Sequence, residues 1–596
     1  MPELKVTYEQ IISEGRMKIK RLSRTLYTLS FMRLTFFLLC FILPFWMYRV
    51  NGAFAVLSVA FSLSMFLFLV KKYQQTSILR KFEQLKVELN LQEIEALQHQ
   101  FSMFDSGTEF IDPNHMNSYD LDLFGKGSLF QFINRTVTPK GKQNLAQMLQ
   151  SPMLKVEDLQ NRQYLIKELT LALTWRQDFS TWGKLYGEDK NENDLFGSWS
   201  KQVFALKSEA WLPVLFWVLP LISLISLGVW IFIGSSIAFI FSTILQMVLW
   251  YIEKSNIKNC DLQFGKRANV LQKYEVLFRE MESFPWESSE GKQRRNDLIQ
   301  NGIPSMEARK LRKIVTSFDN RNNFLFGVPL NLVFLWDILH SYRLIKWHRR
   351  NQGNYQLWIN AIAFTDACNS LGNYACNHPD ANYPGFSQGE FQLSAVQMGH
   401  PLIHRNKRVS NDFDLGGTQQ LQIITGANMS GKSTFLRTIG VNMVLGMCGA
   451  PVCARKMNFK PVEVFSNMRT TDSLFDDESY FFAELKRLQA ILEEVDKGRD
   501  LLIILDEILK GTNSVDKLYG SQKLVHRLIA KGTSAIIATH DLKLTEIELE
   551  FPDKVKNQCF EISIENDEMQ FDYTLQSGVT TIMNASFLMK KMGIIE

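Results

Sequence analysis

The segment Gly426–Thr434, which reads Gly-Ala-Asn-Met-Ser-Gly-Lys-Ser-Thr, has residue types and spacing suited to binding nucleotide phosphates. In the pattern G-x-x-x-x-G-K-S, the glycines let the backbone surround phosphate groups with its N–H groups. The apolar run Leu421–Thr425 predicts a buried strand before it, and Phe435–Leu445 predicts a helix after it. This context favours a phosphate loop over a chance match on a strand-to-helix turn.

Individual roles follow from the side chains of this loop. The amine of Lys432 can reach the β- and γ-phosphates, the hydroxyl of Ser433 can bind Mg²⁺, and the following helix adds the positive end of its dipole. We therefore predict ATP and Mg²⁺ as cofactors. The expected nucleotide-contacting residues are those of the whole loop: Gly426, Ala427, Asn428, Met429, Ser430, Gly431, Lys432, Ser433 and Thr434.

Two further predicted strands end in reactive side chains. Leu501–Leu505 predicts a buried strand that ends in Asp506 and Glu507. Asp506 suits Mg²⁺ coordination, directly or through water, and Glu507 suits the orientation and deprotonation of an attacking water. A third strand, Ser534–Ala538, leads to His540, which could sense the γ-phosphate or hold that water. Alone, such residues would be ordinary strand ends, but their order after a phosphate loop favours a catalytic site.

A weaker pattern lies between the phosphate loop and the acidic pair. Glu478 and Ser479 open a predicted helix whose apolar residues share one face: Phe482, Leu485, Leu488 and Leu492. A serine at a helix N-terminus either binds a phosphate or simply caps the helix. The pattern alone leaves both interpretations open.

Together these stretches resemble the MutS family, within the broader group of ABC-type ATPases. The pair Asn428-Met429 makes the loop more typical of that family than of phosphate loops in general. The resemblance covers roughly residues 121–596, is strongest over 399–596, and rests on these segments: Ser128–Leu149, Gly399–Leu402, Ser410–Asp412, Thr425–Gly440, Asp472 with Glu478–Phe481, Asp506–Asp516, Ala538–His540 and Ala585–Ile594.

The resemblance implies a homodimer formed through the ATPase domain, with two composite ATP sites at the interface. It implies that Ser479 acts in trans on the ATP bound by the partner subunit and that His540 is a switch residue. It also implies a helical lever domain before the ATPase domain and a relation to DNA mismatch repair.

Departures from the family pattern concern recognition more than ATP chemistry. The family's mismatch-reading domain is expected before the lever, but Met1–Asp120 holds apolar runs and a predicted helical stalk. A second apolar pair stands where the family inserts its DNA clamp. Ala427 and Ser430 occupy loop positions that are usually Pro and Gly, and Leu509-Lys510 replaces the usual Gly-Arg. We expect the ATP chemistry to survive these changes. Mismatch recognition is not expected, because apolar runs stand where the family has its mismatch-reading domain and its DNA clamp.

Two pairs of apolar runs predict membrane-spanning helical hairpins. The first pair is Leu34–Tyr48 and Ala53–Val70, and the second is Trp211–Trp230 and Ile231–Tyr251. Three runs approach the ~20 residues that span a bilayer, and the shortest is sufficient if Arg33 extends towards the headgroups. Tryptophans at the ends of the second pair suit a membrane interface. Buried core hairpins are the alternative.

Basic residues flank both pairs on the sides away from their turns, and the turns carry only Arg49. The positive-inside rule then places the long segments, including the ATPase domain, in the cytoplasm, and the predicted location is the inner or plasma membrane. A third apolar stretch, Phe324–Leu339, contains Asn331 and Asp337 and predicts one buried or interfacial helix, with another membrane span as the alternative.

Composition limits other functions. The 66 basic and 61 acidic residues give a net charge of +5, which is too small an excess to indicate nucleic acid by itself. The seven cysteines are scattered and odd in number, so a zinc site or a disulfide framework is disfavoured.

The predicted fold class is an α/β phosphate-loop ATPase domain of ABC type, preceded by an all-α lever domain that carries both transmembrane hairpins. The predicted domains are a cytoplasmic N-terminal segment at 1–33, the first hairpin at 34–70, a helical stalk at 71–120, the lever at 121–390 with the second hairpin at 211–251, and the ATPase at 391–596.

Three functions remain open. In the first, a membrane-anchored MutS-like ATPase still engages DNA. In the second, the nucleotide cycle moves the lever and the hairpins in a mechanotransducer or scaffold that has no DNA or mismatch-repair role. A transporter is the third and weakest, because the predicted spans carry no acidic residue or histidine. A second copy of the chain and membrane lipid are the expected partners, with DNA added in the first case.

Overall fold

The computed structural model of this chain describes residues 2–187, 203–207, 209–469, 480–565, 568–580 and 594–595. The residue predicted to act in trans, Ser479, lies outside these ranges together with Asp472 and Glu478. So does all of the segment Ala585–Ile594 except its last residue.

The first predicted hairpin and the predicted stalk form one continuous structure. Helix α1 (Pro2–Tyr48) and helix α2 (Gly52–Leu97) pack side by side in opposite directions, and a short turn joins them. Asn51 caps α2 because its side chain accepts a hydrogen bond from the N–H of Ala53 at 2.9 Å. The predicted boundaries after residues 33 and 70 therefore fall inside helices.

Helix α2 ends earlier than the sequence predicts. The helical stalk predicted at 71–120 is one continuous helix only as far as Leu97. His99 takes the left-handed backbone conformation, with φ of 67°, which a helix interior does not accommodate. Its Nε2 lies 2.8 Å from the carbonyl oxygen of Leu402. The end of the helix is also a local cap, because the N–H of His99 donates to the carbonyl of Ala96 at 2.9 Å and the N–H of Gln100 donates to the carbonyl of Glu95 at 3.0 Å.

The middle of the chain is helical. The described helices between the stalk and the first strand are α3 (Leu129–Ile133), α4 (Pro139–Gln150), α5 (Val156–Leu171), α6 (Leu173–Leu185), α7 (Leu212–Ile233), α8 (Ile237–Phe264), α9 (Ala268–Ser283), α10 (Ser289–Ile299), α11 (Pro304–Asp319), α12 (Phe324–Phe334), α13 (Trp336–Asn351) and α14 (Tyr355–Asn377).

Helix α14 lies at the core of this helical region, and the stalk is bonded to it. Asn377 at its end donates a hydrogen bond to Glu93 of α2 and accepts one from Tyr8 of α1, both at 2.7 Å. Glu93 also pairs with Arg135 at 2.6 Å. Burial opposes the charged form of Glu93, but Arg135 outweighs burial and the pKa of Glu93 is lowered. A movement of α14 would therefore be passed to both long helices.

Two helical stretches of this region are interrupted. The stretch that follows the second apolar pair breaks between α8 and α9. Lys266 at the break has φ of 58°, and its N–H donates to the carboxylate of Asp319 at 3.0 Å. The stretch Phe324–Leu339, predicted as a buried or interfacial helix, is helical but is divided at Leu335, whose φ of 52° separates α12 from α13. At 11 residues, α12 is well short of the ~20 needed for a span.

Four described helices are long and apolar enough to cross a membrane, namely α1, α2, α7 and α8. In their most apolar windows only 11–17% of the residues are buried inside the protein. Large apolar side chains therefore face outwards along both helical hairpins, among them Phe41, Phe61, Trp217 and Phe241.

Strands and helices alternate in the C-terminal part of the chain. The strands are β1 (Gly385–Phe386), β2 (Gln392–Met398), β3 (Asn411–Gly416), β4 (Leu421–Gly426), β5 (Lys456–Phe459), β6 (Glu463–Asn467), β7 (Leu501–Asp506), β8 (Ser534–Ala538), β9 (Val555–Glu565) and β10 (Glu568–Ser577). The helices are α15 (Lys432–Met447), α16 (Tyr480–Asp496), α17 (Ser514–Lys531) and α18 (Ile547–Glu550).

These strands form two sheets. The smaller has the order β1-β5-β2-β3, and the larger has the order β10-β9-β4-β8-β7-β6. In the larger sheet only β10 runs antiparallel to its neighbour. The three strands predicted around the phosphate loop, the acidic pair and His540 are confirmed as β4, β7 and β8. Because they are adjacent and parallel, their carboxyl ends meet at one edge, and the predicted α/β region after a helical region is confirmed.

Helix α16 buries a different face from the one the sequence predicts. Leu488 is buried and Leu492 is partly buried, as expected, but Phe482 and Leu485 are exposed. Glu484 is buried in their place. The hydrophobic pattern could not anticipate a carboxylate on the inner face of this helix.

Candidate nucleotide site

Backbone hydrogen bonds lock the carboxyl ends of β4, β7 and β8 into register. The N–H of Thr539 donates to the carbonyl of Ile424 at 3.0 Å, and the N–H of Glu507 donates to the carbonyl of Ala538 at 2.9 Å. The phosphate loop, the acidic pair and His540 consequently line one cleft of about 490 Å³. Residues predicted separately from three strands thus come together in space.

Most of the predicted loop residues face this cleft: Asn428, Met429, Ser430, Gly431, Lys432, Ser433 and Thr434. Gly426 and Ala427 are instead buried behind it. A Cβ atom at Gly426 would lie 2.8 Å from the carbonyl oxygen of Phe560, so only glycine fits this close approach. Gly431, with φ of 103°, turns the chain into α15 and directs the N-terminus of that helix at the cleft.

Lys432 crosses the base of the loop. Its amine donates to the carbonyl oxygens of Gly426 at 2.7 Å and of Ala427 at 2.9 Å. Burial lowers the pKa of this amine to about 8, although Asp506 and Glu507 act in the opposite direction. Phosphate oxygens in the cleft would add further negative charge and favour the ammonium form.

Glu507 and His540 face each other across the edge of the sheet. Burial opposes ionisation of Glu507, but an ion pair with Lys517 at 2.8 Å, together with His540, outweighs it and lowers the pKa of Glu507. The pKa of His540 is lowered by burial and then by the charge of Lys432, in spite of the nearby acids. The cleft therefore holds a carboxylate beside a neutral imidazole at neutral pH, a pair suited to orienting a water.

The residues that would hold Mg²⁺ fit that ion. The hydroxyl of Ser433 and the carboxylate of Asp506 both line the cleft and are hard oxygen donors of the kind Mg²⁺ prefers. Among the described residues, no group of three or more His, Cys, Asp or Glu side chains could hold a metal by itself. This matches a site in which the phosphates and water complete the coordination.

Sequence reasoning missed Glu484, which lies behind the acidic pair. Its carboxylate, on a residue only 1% exposed, accepts the N–H groups of Leu509 at 2.6 Å and of Lys510 at 3.1 Å. Leu509 has φ of 59°, so these bonds support a strained turn directly after Glu507. Burial raises the pKa of Glu484 against the effect of both N–H donors. The only sequence feature that could have indicated its burial is its position one helical turn before Leu488, on the face that Leu488 buries.

Tyr573 is a second missed residue of the cleft. Its side chain lies where a Cβ atom at Gly431 would come within 3.0 Å of the ring. The side-chain amide of Asn411 donates to the backbone carbonyl of Tyr573 at 3.0 Å, and the side-chain oxygen of Asn411 accepts from the N–H of Leu575 at 2.8 Å. Asn411 thus fixes an irregular part of β10 against the phosphate loop, beyond the reach of local sequence patterns.

Asp120, in the connecting segment 98–128 between the stalk and α3, joins the cleft to the rest of the chain. Its buried carboxylate accepts from the N–H of Arg469 at 2.9 Å and from the guanidinium of Arg487 on α16 at 3.3 Å. Its carbonyl accepts from Arg437 on α15 at 3.0 Å. One residue therefore contacts both the phosphate-loop helix and the helix that carries Glu484.

Comparisons with known proteins match the two parts of the chain that these contacts connect. A family model described as MutS domain V matches residues 422–590, and one described as MutS domain III matches residues 111–188. The second match contains Asp120, and the first contains the whole cleft apart from the segment before β4.

Curated relatives are similar to this chain over about a third of its length. The DNA mismatch repair protein MutS of Thermotoga neapolitana is 30% identical over 201 residues, which are 33% of this chain and 25% of that protein. The protein of the same name from Finegoldia magna is 33% identical over 231 residues, or 37% of this chain and 26% of that protein. The match to the Thermotoga maritima protein has 31% identity over 224 residues, covering 37% and 27%. The chain spans about a quarter of the length of these relatives.

Proposed function

We propose that this chain, a member of the MutS family, is a Mg²⁺-dependent ATPase that is anchored in a membrane and works as a homodimer. The observation that supports it most is the single cleft in which the phosphate loop, Asp506, Glu507 and His540 converge. Relatives named as DNA mismatch repair proteins are similar to about a third of this chain.

Each side chain of the cleft has a role in ATP hydrolysis under this proposal. The loop N–H groups and Lys432 hold the phosphates, and Ser433 and Asp506 hold Mg²⁺, which neutralises charge on the phosphate oxygens. Glu507 orients a water and accepts its proton as that water attacks the γ-phosphorus and the bond to the bridging oxygen breaks. His540, which is neutral, hydrogen-bonds the γ-phosphate or the water. Ser479 of a second copy completes the site in trans.

Membrane anchoring is supported by both helical hairpins. Their apolar side chains are exposed over lengths that match a bilayer, and basic residues lie beyond them. The chain should therefore remain in the membrane fraction after an alkaline carbonate wash and leave it only with detergent. Release by carbonate alone would contradict anchoring without affecting the ATPase proposal.

Coupling between ATP and the stalk is supported by Asp120. A nucleotide-dependent shift of α15 or α16 would act on this residue, and the segment 98–128 continues into α2. Helix α2 is continuous from the apolar run at its start to Leu97, where the segment 98–128 begins. A displacement of this segment would therefore be transmitted along α2 to the membrane. We infer that the ATP cycle drives the stalk and the hairpins.

A DNA role is the second candidate, and the names of the relatives favour it. It predicts that duplex, mismatched or branched DNA binds the reconstituted chain with an affinity that falls as salt rises, because phosphate contacts release counterions. If none of the three DNA forms binds the chain or changes its rate of ATP hydrolysis, and hydrolysis requires Mg²⁺, the DNA role is refuted. The mechanotransducing function without DNA is then the remaining candidate. If no Mg²⁺-dependent hydrolysis is detected in lipid, both candidates fail.

A further inference from the structure

A cavity lined by both polar and apolar side chains lies beside the second hairpin, at the end that the membrane proposal places next to the cytoplasm. It is formed by α8, α12 and the start of α13, and its volume is about 430 Å³. Asn331 and Asp337, the two polar residues that interrupt the third apolar stretch, both line it. The nucleotide cleft gives these residues no role.

Two buried oxygen acceptors in the wall of this cavity have no hydrogen-bond partner among the described residues. Asp337 is 5% exposed; its Oδ2 accepts from the indole N–H of Trp250 at 3.1 Å, whereas its Oδ1 has no partner. Gln246 is 1% exposed, and its Oε1 also has no partner. Burying unsatisfied acceptors destabilises a protein, so such atoms indicate a ligand that donates hydrogen bonds.

The orientation of the Gln246 amide is fixed by a chain of hydroxyl groups between α7 and α8. Ser242 donates to the carbonyl of Phe239 at 3.0 Å, and Ser223 donates to the hydroxyl of Ser242 at 3.2 Å. The oxygen of Ser223 must therefore accept, and it does so from Nε2 of Gln246 at 2.6 Å. The amide oxygen is left as the free acceptor, because exchanging the two amide atoms would place two acceptors against each other.

The charge of the cavity favours a cation. Arg321, the basic residue that lines it, is already paired with Asp261 at 2.6 Å. The carboxylate of Asp337 has only the neutral indole of Trp250 and its free Oδ1. A primary ammonium group supplies both the positive charge and several N–H donors for Oδ1 and Oε1. A quaternary ammonium supplies the charge but no donor.

The surroundings of the cavity favour a lipid as the source of that ammonium. Met247 and Val328 line the cavity and are exposed, and they continue the outward-facing apolar surface of the hairpin. Lys254 does not line the cavity but is exposed, with its amine 5.9 Å from the ring centroid of Trp250, where it can pair with a phosphate outside the cavity. One lipid molecule fits all of these features, with its ammonium group inside the cavity, its phosphate near Lys254 and its acyl chains along the hairpin.

We propose that this cavity binds the headgroup of an aminophospholipid of the phosphatidylethanolamine type. The ammonium lies between Asp337 and Gln246, and the phosphate lies near Lys254. Phosphatidylserine fits less well, because its carboxylate would be repelled by Asp337. The proposal rests on the membrane anchoring proposed above and does not depend on ATP hydrolysis.

The test is lipid retention by the full chain in nanodiscs of phosphatidylcholine that contain a minor fraction of phosphatidylethanolamine, read by native mass spectrometry. We expect phosphatidylethanolamine to be retained over phosphatidylcholine, and Asp337→Asn to weaken this preference by about tenfold, since a charge-assisted bond becomes a neutral one. Asp297→Asn is the matched control, because Asp297 lies on α10 outside the cavity. If Asp337→Asn does not enter nanodiscs, Gln246→Leu replaces it and should also weaken the preference.

Equal retention of the two lipids by inserted protein would overturn the proposal, and so would an unchanged preference in the variant that inserts. Displacement by water-soluble glycerophosphoethanolamine as effective as that by the lipid would assign the cavity to a soluble amine instead. A chain that elutes free of nanodiscs would refute the anchoring and this site together, whereas inserted protein without selectivity refutes the site alone.

Discussion

Lys517 of α17 forms a 2.8 Å ion pair with Glu507, the carboxylate that faces the phosphate loop. Both side chains are largely buried, and Glu507 takes a left-handed backbone conformation that directs it along the edge of the sheet. A general base that is paired with an ammonium group is a weaker base than a free one. The pair therefore restrains the residue to which we assign the activation of water.

Removing this ammonium should change the pH dependence of ATP hydrolysis. Lys517 lowers the pKa of Glu507, so Lys517→Met should raise it and move the acid limb of the kcat profile to higher pH. Lys523→Met, an exposed lysine on the same helix, is the control and should leave the profile unchanged. Superimposable profiles for the wild-type protein and Lys517→Met would mean that Glu507 is not the titrating base.

Glu484 should affect turnover without affecting nucleotide affinity. Its carboxylate supports the turn at Leu509 and Lys510 through two charge-assisted hydrogen bonds, and Glu484→Gln weakens both. Such bonds contribute about 1.5–3 kcal/mol, so we expect kcat to fall by about tenfold with a nearly constant Kd for ATP. Glu493→Gln on the exposed side of α16 provides the comparison. A wild-type kcat in Glu484→Gln would remove this residue from the site.

The affinity for ATP should fall at alkaline pH because of Lys432. Its pKa of about 8 lies below the ordinary value of a lysine, so the free protein loses this charge as pH rises through 8. Bound phosphates raise that pKa, and binding must then take up a proton, which weakens it above pH 8. Isothermal titration in buffers of different ionisation enthalpy should detect proton uptake at alkaline pH. If ATP binding takes up no proton above pH 8, the prediction that Lys432 loses its charge in the free protein is contradicted.

Substitution of two aspartates of the connecting segment, Asp120 and Asp122, should have very different effects on stability and on coupling to the stalk. The carboxylate of Asp120 is 1% exposed and paired with Arg487, whereas that of Asp122 is 39% exposed and paired with Arg469. Breaking a buried pair costs about 3–5 kcal/mol, and an exposed pair contributes at most ~1 kcal/mol. Asp120→Asn should therefore lower the thermal stability strongly and abolish nucleotide-dependent hydrogen-exchange protection at the base of α2, while Asp122→Asn should do neither. Equal effects would argue against coupling through Asp120.

The local parts of the site could be predicted from the sequence, and the long-range parts could not. The phosphate loop, the acidic pair and His540 each follow a short apolar run, and such runs identify buried strands directly. Glu484 was missed because its partners lie 25 and 26 residues away along the chain. Lys517 was missed for a similar reason, since only the folded turn after β7 brings it to Glu507.

The same distinction explains the errors in the helices. The break at Lys266 depends on Asp319, 53 residues later, whereas the stalk helix ends in a local cap whose left-handed residue is His99 and not the usual glycine. Periodicity reports which face of a helix is apolar, not where a distant acceptor interrupts it. Ser479 lies outside the described residues, and its proposed role in trans still rests on the family resemblance.

The measurement that tests the proposed ATPase most directly is single-turnover hydrolysis of ATP by full-length Glu507→Gln in lipid, together with its ATP affinity. We predict that the Kd stays within about threefold of wild type, because the amide keeps the shape of the side chain, while the hydrolysis rate falls by at least ~10²-fold, because the amide cannot accept the proton of water. Lys432→Ala should instead lose binding. Normal single-turnover hydrolysis by Glu507→Gln would contradict the assignment of the base and, with it, the mechanism proposed for this cleft.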